Sequence, residues 1–209
     1  MNQPARSLNH SIFVATCVAF AFASAGSLGC GDDAGGATVD SQLLGIYQIS
    51  QYQLSDVGCE SPVNTAPFAT YLALYSYAPP DDPEDPLLLG RFCDTVQGCR
   101  DAIRDFPELL NPGYAFSQGN DAAGWRGWAV ASRSLASDQC QADVQAHVLT
   151  STGGREVRIE TRSYDTVFPP SSMEGSQIEC SNEAAIFSLN DDPPCVEAFD
   201  VRASFEAGI

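Results

Sequence analysis

The chain contains no lysine. All ten of its cationic side chains are arginines, set against 27 acids, for a formal charge of −17. So acidic a surface repels a phosphate backbone, which excludes nucleic acid as a main partner. Histidine is almost as scarce, with only His10 and His147. Ser-His-Asp units, Cys-His units and most zinc sites draw on histidine, and here there is too little to build one. No C-x2-C pair, G-x-S-x-G, H-E-x-x-H or P-loop occurs either. The expectation is a protein that is not an enzyme and holds no cofactor and no metal. Missing too is any apolar run of the roughly 20 residues that a permanent membrane-spanning helix needs.

The longest apolar stretch, Ile12 to Ala25, is about 14 residues and follows a segment whose only charge is Arg6. A basic start, a short apolar run and small residues behind it make the pattern of an export signal. Gly26-Ser27-Leu28-Gly29-Cys30 comes next. This stretch resembles the lipobox of bacterial lipoproteins, with Ser27 standing where leucine is usual. The resemblance implies that residues 1–29 are a signal peptide and that Cys30 becomes the mature N-terminus, carrying a diacylglyceryl thioether and palmitate-type chains. Such chains hold a protein on a membrane without a spanning segment, so the lipid on Cys30 is the expected membrane contact. The expected location is the bacterial cell envelope. Gly31 in place of an aspartate points to outer-membrane sorting.

Removing residues 1–29 from the 209 leaves 180, enough for one domain with a real core. Residues 30–42 read as a polar, Gly-rich tether, and residues 43–209 as a single β-rich domain. Cys17 leaves with the signal. Beyond Cys30, the six cysteines Cys59, Cys93, Cys99, Cys140, Cys180 and Cys195 read as three disulfides, a count that allows 15 connectivities. Asp94 with Gln97 has the form of a capping box, followed by a helix with Val96, Cys99, Ile103 and Phe106 on one face. Cys93 just before that cap and Cys99 on its core side suit a covalent staple, Cys93–Cys99. Cys180–Cys195 and, by elimination, Cys59–Cys140 complete the expected set.

Elsewhere the period is two. Strands are expected at Gly45–Leu54, Phe68–Tyr77, Leu87–Phe92, Tyr114–Gln118, Trp125–Ser134, Cys140–Val148, Val157–Arg162 and Glu197–Phe205. Residues 166–180 look irregular, and Asn182–Leu189 reads as a short helix. Four prolines between Ala78 and Pro86 keep that segment out of a sheet interior. The fold class is therefore mainly β, an antiparallel up-and-down barrel or barrel-like sandwich of about eight strands with one main α-helix. Gly45-Ile46-Tyr47 opening such a sheet is similar to the start of a lipocalin-type barrel. Together with Cys59, the Cys93–Arg100 segment, Val157–Arg162 and the C-terminal cysteine pair, it resembles an uncharacterised family of secreted bacterial lipoproteins. That resemblance implies no activity or ligand.

Three groups of residues are candidate sites. Asp81, Asp82, Glu84 and Asp85 offer oxygens for calcium, but EF-hand spacing is absent and Pro83 stiffens the loop, so a solvated loop is expected. Trp125 and Trp128 fall on opposite faces of a strand, one in the core and the other a possible ligand contact. Cys140, Ala142, Val144, Ala146 and Val148 alternate with Gln141, Asp143, Gln145 and His147. If Gly153-Gly154 are the centre of a type I′ turn, His147 lies opposite Glu160 on an exposed face. The functional expectation is a lipid-anchored binding or interaction module with an unknown ligand. The alternative is a structural envelope protein with no small-molecule site. A hollow interior would favour the first, and one filled by Tyr, Phe and Leu the second.

Overall fold

The computed structural model describes residues 39–55, 58–60, 63–108, 113–135, 139–153, 155–174 and 177–209. The signal segment, Cys30 and the tether as far as residue 38 lie outside them. Twelve strands and two α-helices follow in chain order: β1 (Gly45–Ser55), β2 (Val63–Asn64), β3 (Tyr71–Tyr77), β4 (Leu87–Cys93), α1 (Val96–Asp105), β5 (Gly113–Phe116), β6 (Gln118–Asn120), β7 (Gly124–Leu135), β8 (Gln139–Gly153), β9 (Glu156–Phe168), β10 (Ser172–Glu174), β11 (Gln177–Glu179), α2 (Asn182–Phe187) and β12 (Cys195–Ala207). Among the described residues no helix is long and apolar enough to cross a membrane.

Ten of the strands form one antiparallel sheet, ordered β5-β4-β3-β1-β12-β9-β8-β7-β6 with β2 on β1. Its two ends, β5 and β6, are consecutive in the chain and separated only by Ser117, whose N–H donates to the Arg126 carbonyl at 3.0 Å. One segment thus pairs with β4 through its first half and with β7 through its second, and the sheet nearly closes into a barrel. At this seam the backbones come very close. A Cβ on Gly127 would stand 1.8 Å from the Ala115 carbonyl oxygen, so only glycine fits there. Sequence reasoning expected about eight strands. The two extra strands of this sheet are β2, too short to show a period, and the second half of one expected strand that breaks at Ser117, while β10 and β11 pair with each other in a separate two-stranded sheet where irregular chain was expected.

At one end the interior is solid. Leu72, Leu74, Leu88, Phe116, Leu149 and Ile159 are fully buried there and belong to a single cluster with Tyr47 and Val201. Alternation puts Leu72 and Leu74 of β3, Val157 and Ile159 of β9 and Val201 and Ala203 of β12 into this layer, at roughly 1.5–3 kcal/mol for a fully buried large side chain. The chain entering the barrel plugs the same end. Val39 is only 7% exposed within this cluster, so the fold reaches back past the expected start at Leu43. The Ser41 hydroxyl, the Gln42 N–H and the Trp125 indole all donate to Asp121, at 2.7, 2.6 and 2.8 Å. Burial raises the Asp121 pKa, but these three donors outweigh it and hold the carboxyl below its usual range.

Two patches cover the barrel from outside. Helix α1 lays Cys99, Val96 and Ile103 on β3 and β4, while Phe106, expected on the same stripe, is exposed just past the helix end. Its N-cap is Thr95, whose hydroxyl accepts from Gly98 N–H at 2.9 Å, and not Asp94. The spacing of an N-cap to N3 bond fits both residues, and the helix starts one position later than expected. Helix α2 and the 3₁₀ turn after it (Ser188–Asp191) pack on the outer face of β7, β8 and β9, over Cys140, Ala142, Val144 and Phe168.

All six expected cysteines are bridged. Cys93–Cys99 is present, with Cα atoms 5.4 Å apart. The other two bridges are Cys59–Cys195 and Cys140–Cys180, in place of Cys180–Cys195 and Cys59–Cys140. The reason is topological. Cys195 opens β12, which pairs with β1, and this puts it beside the loop carrying Cys59. Cys140 faces outward toward the segment that leads into α2, which carries Cys180.

Candidate functional site

The structure moves His147 from the surface to the interior. It is 3% exposed and pairs with Thr161, and the expected partner Glu160 pairs with Val148. Gly154 lies outside the described residues, but Gly153 pairs with Glu156 and Arg155 has φ +64°, so the turn sits one residue further along than expected. The cause is a change of buried face along β8. Cys140, Ala142 and Val144 are buried outward beneath α2, whereas His147 and Leu149 are buried inward. Uniform alternation cannot describe a strand covered on different sides at its two ends.

Following the inward face of β8 and β9 toward the other end of the barrel gives a column of pairs. Leu149 opposes Ile159, then His147 opposes Thr161, Gln145 opposes Ser163 and Asp143 opposes Asp165. The floor is apolar, the middle polar and buried, and the rim acidic and exposed. In the middle, Thr161 is 1% and Tyr114 3% exposed. The Tyr114 ring lies 5.1 Å from that of His147, centroid to centroid, and the Phe116 ring 6.2 Å. His147 Nδ1 and the Ser163 hydroxyl are buried without a hydrogen-bond partner among the described residues, while the Tyr114 and Thr161 hydroxyls beside them lie close enough for a hydrogen bond between them to lower the Tyr114 pKa. Such a group costs about 1–3 kcal/mol when nothing bonds to it.

Charge is expelled from this layer. Burial lowers the His147 pKa to about 4, which leaves the imidazole neutral at pH 7 and able to accept a hydrogen bond at one nitrogen. Burial also raises the Tyr114 pKa well above its usual value, with the nearby Thr161 hydroxyl working the other way. On the rim, hydrogen bonding to Asp165 raises Asp143, and burial adds to this. Burial raises Tyr52, and the negative charge of Glu197 adds to it. Glu197 pairs with Ser163, so its carboxylate stands at the same level as the column.

At the level of this polar layer the aromatic side chains form a belt of ring contacts, with Phe199 paired to Thr161. Tyr52 meets Phe68 at 5.4 Å, Phe68 meets Phe92 at 4.5 Å and Phe92 meets Tyr114 at 5.4 Å. Tyr114 then meets Phe199 at 6.5 Å, and Phe199 returns to Tyr52 at 6.3 Å. Four of these rings come from strands. Phe68 comes from the loop after β2 and is 52% exposed. Sequence reasoning had no signal for the belt, because its members are spread over five separate segments and each reads alone as a core aromatic.

The tryptophans do take opposite faces. Trp125 belongs to the inner core, and Trp128 packs half-buried against the cluster beneath α2, outside the aromatic belt. Among the described residues no three His, Cys, Asp or Glu side chains gather closely enough to hold a metal ion. Compared with protein-family models, with curated proteins and with solved structures, the chain matches none.

Proposed function

We propose that the chain is a lipid-anchored envelope lipoprotein whose folded domain is a binding or interaction module, working through the open end of its barrel. The carrying observation is the buried polar layer of Tyr114, His147, Thr161 and Ser163 set among aromatic rings, in which His147 Nδ1 and the Ser163 hydroxyl have no partner among the described residues. A scaffold with no binding role gains nothing from keeping such groups out of water. The lipid on Cys30 fits the placement of the N-terminal segment. Val39 plugs the closed end, and eight residues separate it from Cys30, so an anchored domain turns its open end away from the bilayer.

A second reading, a structural envelope protein with no small-molecule site, draws support from the filled lower interior around Leu72, Leu88 and Phe116. Native mass spectrometry of protein recovered from its own host separates the two. A copurifying small molecule supports the module, and a bare polypeptide mass in every preparation supports the scaffold. Anchoring is tested by Cys30→Ser, which should move the domain from the membrane fraction to the soluble fraction. A Cys30→Ser protein still held in the membrane would defeat the lipoprotein assignment.

A further inference from the structure

We propose that the outer wall of the barrel carries a site for a small neutral saccharide, in the groove between β1 and the chain that follows β2. The site is separate from the polar layer at the open end and does not rest on the role given to that layer.

A mismatch in the sheet makes the groove. Ile49 N–H donates to the Thr70 carbonyl at 2.9 Å, and Thr65 N–H donates to the Tyr52 carbonyl at 3.0 Å. Between these two bonds, two residues of β1 oppose four of the facing chain, so residues 66–69 bow off the ladder. The register of β1 against β12 also shifts between Ile49 and Gln51, a bulge of the kind that re-aims side chains. The space left is about 440 Å³, open to solvent and lined by Ser50, Gln51, Tyr52, Asn64, Thr65 and Pro67. Ligand sites span roughly 300–1,000 Å³.

The lining selects the ligand. Tyr52 packs its ring into the aromatic belt, so Gln51 and Gln53 on either side of it point outward. Asn64 Oδ1 accepts from both glutamine amides, at 3.0 Å each, which fixes the orientation of all three groups. The Asn64 NH2 and the two glutamine carbonyl oxygens then have no partner among the described residues, and neither does the Thr65 hydroxyl. The Ser50 hydroxyl donates to the Arg202 carbonyl and keeps its capacity to accept. Donors and acceptors are thus interspersed, and no carboxylate, guanidinium or imidazole belongs to the lining, in a chain of net charge −17. Each sugar hydroxyl both donates and accepts, which matches such a surface, while an anion would meet the glutamine carbonyl oxygens. A purely apolar ligand would find only Tyr52 and Pro67, on which the C–H face of a sugar ring can rest. An open groove suits a ligand that keeps part of its own polar surface in water.

The test titrates the full chain with cellobiose, maltose, di-N-acetylchitobiose, glucose and glucose 6-phosphate. The readout is the side-chain NH2 resonances of Gln51, Gln53 and Asn64, with the His147 imidazole followed in the same samples. At least one disaccharide should shift the amide resonances saturably, in the millimolar range or tighter, and leave His147 unmoved. Glucose 6-phosphate should gain nothing over glucose. Asn64→Ala and Thr65→Val should each weaken the disaccharide about fivefold, the worth of about one hydrogen bond. Both side chains are exposed, so the urea midpoints should stay near that of the wild type. No saturable amide shift with any sugar, or full affinity in both variants, overturns the proposal. So does a preference for glucose 6-phosphate, which would assign the wall to Arg202, opposite Gln51 on β12. A sugar that moves His147 and not the amides would place binding at the open end, ending the wall site while supporting the function proposed above.

Discussion

The two ends of the barrel are built by different means. At the closed end β6 to β7 and β8 to β9 are joined by short connections and β3 to β4 by the proline segment Ala78–Pro86, and the interior is packed with aliphatic and aromatic side chains. At the open end only β7 to β8 is short, and the chain runs long from β1 to β3, from β4 to β5 through α1 and from β9 to β12 through α2. All three disulfides lie at this end, and none is at the other. Where side chains fill the barrel, packing suffices. At the open end the bridges add to packing outside the barrel, since Cys93–Cys99 and Cys140–Cys180 lie within the apolar patches under α1 and α2, while Cys59–Cys195 ties the loop after β1 to the start of β12.

The largest expected effect breaks the open end. Cys59–Cys195 spans 136 residues, the longest loop of the three. The bridges nested inside it shorten the effective loop, which leaves about 4–5 kcal/mol in the chain-entropy model. The double variant Cys59→Ser/Cys195→Ser should lose about that much in urea unfolding. Hydrogen exchange should show lost protection at the starts of β8 and β12 before any loss around Leu72 or Phe116. Uniform loss at both ends would contradict a division of labour. The Cys93–Cys99 bridge closes only six residues, and its removal should cost about half as much.

Phe116→Ala is the matching cut at the closed end. The side chain is fully buried among Leu88, Tyr114 and Leu149, so its loss should cost about 4 kcal/mol through transfer and cavity terms together. The three disulfides should remain formed, as a thiol count without denaturant would show. If Phe116→Ala instead exposed free thiols, the two ends would be one cooperative unit.

The closed end was the legible one. Val201, Ala203 and Phe205 alternate along β12, and Val157 and Ile159 along β9, because these stretches turn one face to the inner core. The open end obeys no single period. Strand β8 is covered outside by α2 in its first half and enclosed by the barrel in its second, so pattern alone placed His147 on the wrong side. The cysteine pairing depended on which strand neighbours β1, which is a long-range fact. The aromatic belt depended on closure of the barrel, and closure turns on the small break at Ser117.

His147 sharpens the comparison through pH. Its folded pKa of about 4 lies below its ordinary 6.5, so the unfolded chain takes up the proton first. Its contribution is fully present above pH 6.5 and lost as pH falls from there through 4. At about 1.4 kcal/mol per pH unit this amounts to about 3 kcal/mol. His147→Leu should remove that slope, so urea midpoints measured at pH 7 and pH 4.5 should move less in the variant than in the wild type. Equal movement in both would mean that protonated His147 finds a partner in the folded state.

The smallest effect belongs to the closed end, at the turn that sequence reasoning placed one residue too early. Arg155 adopts φ +64°, a region that disfavours side chains with a Cβ, yet its guanidinium lies 3.4 Å from the centre of the Phe205 ring. The stacking contributes about 0.5–1 kcal/mol at an exposed site, close to what the backbone conformation costs. Arg155→Ala keeps the strain and loses the stacking, so it should destabilise by about 0.5–1 kcal/mol. Arg155→Gly loses the stacking but relieves the strain, and should come out near neutral. Denaturant midpoints for the two variants therefore separate the terms. If glycine proved as harmful as alanine, the backbone at 155 would carry no strain.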